Sequence, residues 1–372
     1  MAGSLADIRP VSAPRPLGLV AAALGAAALA FAICCLLPGW LTSPEVRALY
    51  PVDTLRGAAR GLALASLGLA ALALVRERSR LALIGAVLAL GAWGVAGVDS
   101  FAVAEGDQGL LALDWLAADM LVVGLVIVPM ERLFPHHRTP LTRAGWGTDV
   151  RYFLINHLGV HGVGLLGIFV ATHTLAWARM GLMTTSLGAW PLPLQVLVLL
   201  VVTDLVQYAL HRAMHEVPWL WRIHAIHHSS HTLDTLAGSR IHIVETLITR
   251  VSIYAAFFAL GLPFEAFLVY AALIAFQGSF IHANVRFAYG WLEHVLVSPR
   301  FHHWHHSSDA EAIDTNYAGT FPWIDRVFGT YHLPSEERWP MGYGVVKEVI
   351  PTTVLAQQRF PFRAGGRAPG HG

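Results

Sequence analysis

Long apolar runs separated by short polar segments dominate the chain. Stretches near residues 17–39, 58–75, 81–98, 109–130, 152–174 and 190–210 each approach or exceed the about 20 residues that a helix needs to cross a bilayer. A further apolar block, 247–279, is interrupted by Gly261, Leu262 and Pro263. A proline cannot continue a helix, so this block predicts a hairpin of two short or tilted helices rather than one bent span. Between and after these runs lie two polar segments rich in histidine, 211–246 and 290–335.

Charge adds an orientation. The connection carrying Arg76, Glu77, Arg78 and Arg80 is basic, the one around Asp99, Glu105 and Asp107 is acidic, and the next holds Arg132, Arg138, Arg143 and Arg151. The positive-inside rule then places the N-terminus and the first and third of these connections in the cytoplasm, although Arg47 and Arg56 fall outside. With the 247–279 hairpin, both histidine-rich segments emerge on the same, cytoplasmic side.

Composition narrows the class. Of 372 residues, 55% are hydrophobic and 13% charged, against about one quarter charged in a soluble domain. A soluble domain and a disordered chain are excluded as default readings, and an all-α polytopic membrane protein is expected. The formal net charge is +1, Lys347 is the lone lysine, and no arginine-rich stripe runs beside aromatic residues, so no nucleic-acid footprint is present. Cys34 and Cys35 are adjacent in an apolar run, where helical side chains diverge, which argues against a disulfide or a cysteine metal site. Residues 1–108 form an Ala-, Gly- and Leu-rich transmembrane extension of about three spans, whose small residues favour close helix packing. Residues 109–335 carry the chemistry, and 336–372 form a tail whose end, from Arg363 on, reads as disordered.

That chemistry lies in the 20 histidines, which are clustered. His211 and His215 stand in HRAMH, His224, His227 and His228 in HAIHH, and His302, His305 and His306 in HHWHH. The i, i+4 spacing of the first pair sets both rings on one face of a helix leaving the membrane. In each HxxHH box the first and last rings share a face, and the middle one is displaced toward a neighbouring metal. Neutral imidazole suits iron, zinc, nickel or copper. These box histidines exceed what one tetrahedral zinc can use, so two metals are expected. His173 reads as a helix-end or interfacial residue, and the pair His157 and His161 as a contact between helices. Asp204, Glu245 and Asp314 are candidates to hold the far ring nitrogen of a ligating histidine, or to pair with Arg240 or Arg212. Arg240 could also hold an anionic headgroup.

These motifs resemble the fatty acid hydroxylase and sterol desaturase superfamily of integral-membrane di-iron enzymes. The likeness covers roughly residues 130–335. It includes Asp204 in TDLVQYALHRAMH, Pro218, Leu220 and Trp221 before HAIHHSS, Arg240, His242 and Glu245 in SRIHIVE, and SPRFHHWHHSS followed by DTNYAG and FPWIDRVFGTY. The resemblance implies a helical membrane stalk with a cytosolic histidine-rich cap. There, His211, His215, His224, His227, His228, His302, His305 and His306 bind two iron ions that activate O2 toward a lipid or sterol-like substrate. His282 in FIHAN matches a further family ligand position, but where the hydroxylase branch has another histidine four residues earlier, this chain has Gly278. A weaker ligand shell, a water ligand or His242 are the expected ways to make up the difference. His303 reads as a surface or supporting residue.

The expected reaction is hydroxylation, with desaturation and ether-lipid cleavage as alternatives within the same chemistry. The chain has no CxxCH, no cysteine set for an iron–sulfur centre and no clear GxGxxG motif. Electrons are therefore expected from a separate ferredoxin, cytochrome or flavoprotein reductase. A metal transporter is a rival of another class, disfavoured because the clusters sit at span ends rather than inside the crossing, and a catalytically inactive scaffold is a third. The arginine-heavy composition points to a bacterial inner membrane.

Overall fold

The computed structural model describes residues 16–42, 51–98, 113–174, 187–287, 289–334, 338–346 and 348–363. Eight long helices among the described residues carry the fold: α1 Pro16–Leu36, α2 Val52–Glu77, α3 Arg80–Val95, α4 Leu113–Leu133, α5 Trp146–Thr174, α6 Leu192–Glu216, α7 Ile243–Leu260 and α8 Phe264–Phe280. Among the described residues, α1, α2, α4, α6 and α7 are long and apolar enough to cross a membrane, and α3 and α8 are shorter apolar helices. The protein is an all-α, multi-pass membrane bundle. The acidic connection at Asp99, Glu105 and Asp107 and the chain end beyond Arg363 lie outside the described residues.

The first three helices pack through small side chains. Ala28, Ala32, Ala59, Ala63, Ala89 and Ala92 form one buried cluster. The approach is close enough that a Cβ on Gly85 would overlap the Ala21 backbone, and the Ser66 hydroxyl donates to the Ala21 carbonyl at 2.7 Å. Glu77 accepts the Leu17 and Gly18 N–H groups, each at 3.0 Å, and so caps α1 from another helix. Cys34 and Cys35 are free and buried.

Helices extend past the apolar stretches. α5 starts at Trp146 and α6 runs on to Glu216, because HRAMHE continues the helical register until Val217 and Pro218 end it. α4 contains a π-helical segment, Val123–Ile127, just before Pro129, whose missing N–H breaks the regular ladder. The 247–279 block is a hairpin: Gly261 takes φ 63° at the end of α7 and Pro263 precedes α8. His157 links α5 to α4 through Asp119 at 2.8 Å, the helix-to-helix contact its spacing implied. The side chain of His161 lies outside the described residues, and His173 is exposed, facing the Phe169 carbonyl.

The Arg286 N–H donates to the Phe134 carbonyl, joining the segment after α8 to the end of α4. His224, just past α6, bonds Glu245 at the start of α7, and Arg240 binds Asp149 at the start of α5. These helix ends meet where the histidine segments collect.

Candidate metal centre

His211 and His215 project from the last two turns of α6. A seven-residue helix, Pro218–His224, supplies His224, and the 3-10 turn after it His227 and His228. The Pro299–His305 helix presents the third box. Its start is specified locally, with Ser298 accepting the Phe301 N–H and Pro299 in the first turn. His282 stands just past α8, against the turn at Ala237–Ser239. A Cβ on Gly238 would lie 2.5 Å from the His282 ring, so that position requires glycine.

The rings form two buried groups. One holds His211, His215, His224, His228 and His305, the other His227, His282, His302 and His306, with the ligand atoms of each within 4.8 Å of one another. Each HxxHH box is split as its spacing implied, its first and last histidines in one group and its middle one in the other.

Hydrogen bonds on the outer nitrogens set the tautomers. The Nδ1 atoms of His211, His227, His282 and His305 face the carbonyls of Tyr317, Arg240, Gly278 and Thr315 at 2.7–3.1 Å. Those of His215 and His224 face Asp314 and Glu245 at 3.1 and 2.8 Å. Each acceptor holds the proton on Nδ1 and leaves a lone pair on Nε2. The Nε2 pairs His211–His224, His224–His228, His227–His282, His282–His302 and His302–His306 are nevertheless only 3.0–3.2 Å apart. Where both rings carry their proton on Nδ1, two lone pairs face each other. The Nε2 atom of His305 is buried without a hydrogen-bond partner among the described residues. Protonation does not relieve this, because burial and the neighbouring imidazoles hold His227, His228, His302 and His306 well below the usual histidine range. A cation at each centre does: nitrogens about 2.1 Å from a metal and at right angles lie about 3 Å apart. The donor set fits two metal ions.

Other sequence candidates sit elsewhere. Asp204 does not reach a histidine; its carboxylate accepts the N–H groups of Gly319, Thr320 and Phe321 and fixes the loop behind Tyr317. His242 joins neither group, because its Nδ1 caps α7 by accepting the Val244 N–H and its Nε2 faces the Gln358 carbonyl. The Arg240 side chain binds Asp149, which Arg143 also holds through Nη1 at 2.7 Å, while the Nε and Nη2 of Arg143 donate to Asp234. All four are buried. Arg212 pairs with Glu216. His303 is fully buried, not at the surface. A Cβ on Gly278 would meet nothing within 4 Å, and the second group has one histidine fewer than the first. The carbonyls of Thr315 and Tyr317 were invisible to a reading of side-chain types. The residues that aim them, Asp314 and Asn316 at φ 59° and 61°, are types that tolerate the left-handed region.

The fatty acid hydroxylase family model matches residues 196–330, the segment that holds both groups. An ornithine lipid hydroxylase from Rhizobium tropici is 31% identical over 257 residues, covering 68% of this chain and 77% of that protein. The chain belongs to the fatty acid hydroxylase and sterol desaturase superfamily. An alkylglycerol monooxygenase from Xenopus tropicalis is 28% identical over 47% of this chain and 38% of its own length. A putative methylsterol monooxygenase from Dictyostelium discoideum is 26% identical over 35% of this chain and 48% of its own. No solved structure matches the chain. This member of the superfamily is a membrane oxidoreductase.

Two expectations follow for it. Burial pushes His282 down to about 4 and His305 to about 3, whereas an unfolded histidine titrates near 6.5. Below about pH 6.5 the unfolded chain takes up protons that the folded rings refuse. Stability of the metal-free protein is thus full above that pH, then falls by about 1.4 kcal/mol per pH unit for each such ring down to its folded value. Melting curves between pH 4.5 and 8 check this; a flat profile would contradict it. Second, Glu245→Leu removes the acceptor that aims His224, and the first group's metal affinity should drop about 10- to 100-fold with the second group unaffected. Competition with a chelator measures both sites, and equal loss at the two would mean a general unfolding.

Proposed function

We propose that the protein is an O2-dependent hydroxylase of a membrane lipid, using two irons held by the two histidine groups and electrons from a separate donor. The observation that carries this reading is the pair of buried imidazole groups with their lone pairs converging. Iron bound there would supply the oxidation of a substrate C–H bond, substrate-H plus O2, two electrons and two protons giving substrate-OH and water.

The chain's own part is positional. The Tyr317, Arg240, Gly278 and Thr315 carbonyls hold ring protons outward, and Asp314 and Glu245 hold theirs on His215 and His224. Trp221 lies against His215 and His228, with ring centroids 5.1 and 5.6 Å away, and shields the first group on one side. Because the groups sit at the ends of the spans, a substrate with a long apolar portion reaches them from the bilayer. The similarity to an ornithine lipid hydroxylase favours a polar-headed acyl lipid as that substrate. Residues 109–335 act as the catalytic domain, residues 1–108 as a membrane extension and 336–372 as a tail. The basic 131–151 connection favours a cytoplasmic face for the histidines, in a bacterial inner membrane.

The test is a single incubation. Purified iron-loaded protein, a reductant system and a bacterial lipid extract under isotopically labelled O2 should yield a lipid heavier by one labelled oxygen. A product lighter by two hydrogens would mean desaturation, a cleaved alkyl ether would mean an ether-lipid monooxygenase, and no O2 uptake would sink the oxygenase reading.

A further inference from the structure

Aromatic rings form a ladder from His303, which is tied to the second histidine group through the backbone of His282 and His302, to the protein surface. His303 follows His302 directly in sequence, and its Nε2 faces the carbonyls of His282 at 3.3 Å and Ala283 at 3.1 Å. With that nitrogen protonated, Nδ1 accepts from the Tyr343 hydroxyl at 2.7 Å. The Trp339 ring meets His303 edge-on with centroids 5.2 Å apart, and it also stacks on His136 at 3.9 Å and 18°. His136 lies 4.1 Å from His137, which is exposed. Tyr343 adds a second branch, 5.4 Å from His303 and 6.4 Å from His137.

The outer end of the ladder is basic. An antiparallel bridge between Pro135 and Val285 brings the two segments together there, and both Arg138 and Arg286 are exposed. Among the described residues neither has an ion pair. Across 131–148 and 279–292 the sole carboxylate is Glu131, which is buried and accepts the N–H groups of Thr235 and Asn284. Trp221 also lies between a histidine group and the outside, but the charges around it are already engaged: Arg212 with Glu216, and Arg222 with the Phe360 and Arg363 carbonyls.

We propose that His303, Trp339, His136 and His137 are the relay by which electrons enter the second metal site, and that Arg138 and Arg286 dock the donor, an acidic one-electron carrier of the iron–sulfur class. The inference rests on the hydroxylase reading above. In each transfer a reduced [2Fe–2S] cluster loses one electron and one Fe(III) becomes Fe(II). Two transfers supply the two electrons of a turnover, and the protons enter with the O2 reaction, not with these steps. Rings in contact, joined at the inner end by the His302–His303 peptide bond and the hydrogen bond from His303 to the His282 carbonyl, serve because electron tunnelling weakens steeply across empty gaps. The basic patch draws an acidic carrier to the outermost ring, and that attraction weakens with salt.

The experiment mixes the full-length, iron-loaded, oxidised protein anaerobically with a reduced acidic [2Fe–2S] ferredoxin and follows the ferredoxin's absorbance as it is reoxidised. Dithionite reduction runs in parallel, and iron content is measured for every variant. Trp339→Leu should slow the limiting transfer at saturating ferredoxin about tenfold or more without changing the ferredoxin Kd, and Arg138→Glu with Arg286→Glu should raise that Kd about tenfold while sparing the limiting rate. Trp339→Phe, which keeps a ring in place, should restore most of the rate. The relay is overturned if Trp339→Leu transfers as fast as the wild type, or if Trp221→Leu is the variant that slows. The docking assignment is overturned if dithionite reduces the wild type and ferredoxin does not, or if charge reversal weakens binding to phosphatidylglycerol vesicles but not to ferredoxin. A wild type that holds no iron, or iron that dithionite cannot reduce, would instead defeat the hydroxylase reading on which both depend.

Discussion

Replacing His227 and His305 together by alanine should leave less than one iron per chain and lower lipid oxidation by at least about two orders of magnitude, more than loss of an outer hydrogen bond would cost. The two residues are the middle histidines of their boxes, and each crosses to the group that its own neighbours do not serve. His227 leaves the second group with three imidazoles, and His305 leaves the first with four. Elemental analysis of the protein in mild detergent measures the first quantity and product mass the second. The single variants separate the sites: His305→Ala should spare the metal of the second group, and His227→Ala that of the first. Full metal content in the double variant would show that the two groups are not the metal sites.

Arg143→Met is expected to destabilise the protein by about 3–5 kcal/mol, the cost of removing one partner from a buried ion pair. The guanidinium lies between Asp149 at the start of α5 and Asp234 in the 229–242 loop. Without it, buried Asp149 keeps Arg240 alone and buried Asp234 loses its ion-pair partner. The effect reaches the metal centre because the Arg240 carbonyl is the acceptor that orients His227. Unfolding curves in detergent measure the loss. Replacing Arg143 and Asp234 together, by Met and Leu, should recover part of it, since both members of one pair then leave. A change in the single variant below about 1 kcal/mol would mean that water enters and screens the pair, as at an exposed salt bridge.

Periodicity along the chain was enough to place most of the helices and to divide the box histidines between two groups. Runs of apolar residues with Gly261 and Pro263 at one break determine where the apolar helices and the hairpin turn lie, since a helix cannot pass an αL glycine followed by a proline. The HxxHH spacing determines which rings face together, because positions four apart stack on a helix and the third is rotated away. Helix ends were less legible: α6 runs beyond its apolar part to Glu216, as register, not hydropathy, decides where a helix stops.

What tertiary structure alone decided is which group meets which across the fold. Asp204, Glu245 and Asp314 are alike as carboxylates near histidine boxes. Only the fold turns two of them toward Nδ1 atoms and the first toward the backbone of 319–321. His242 and His303 are likewise indistinguishable from ligands by type, yet one caps a helix and the other lies behind the site against Trp339. Main-chain acceptors such as Thr315, Tyr317 and Gly278 carry no signature at all, since every residue has the same carbonyl. The sequence by itself thus determined the apolar helices, the boxes and the division of their histidines into two groups, which depend on spacing within one element. The supporting partners, and the rings between the centre and the surface, depend on contacts between segments far apart in the chain, which packing alone assigns.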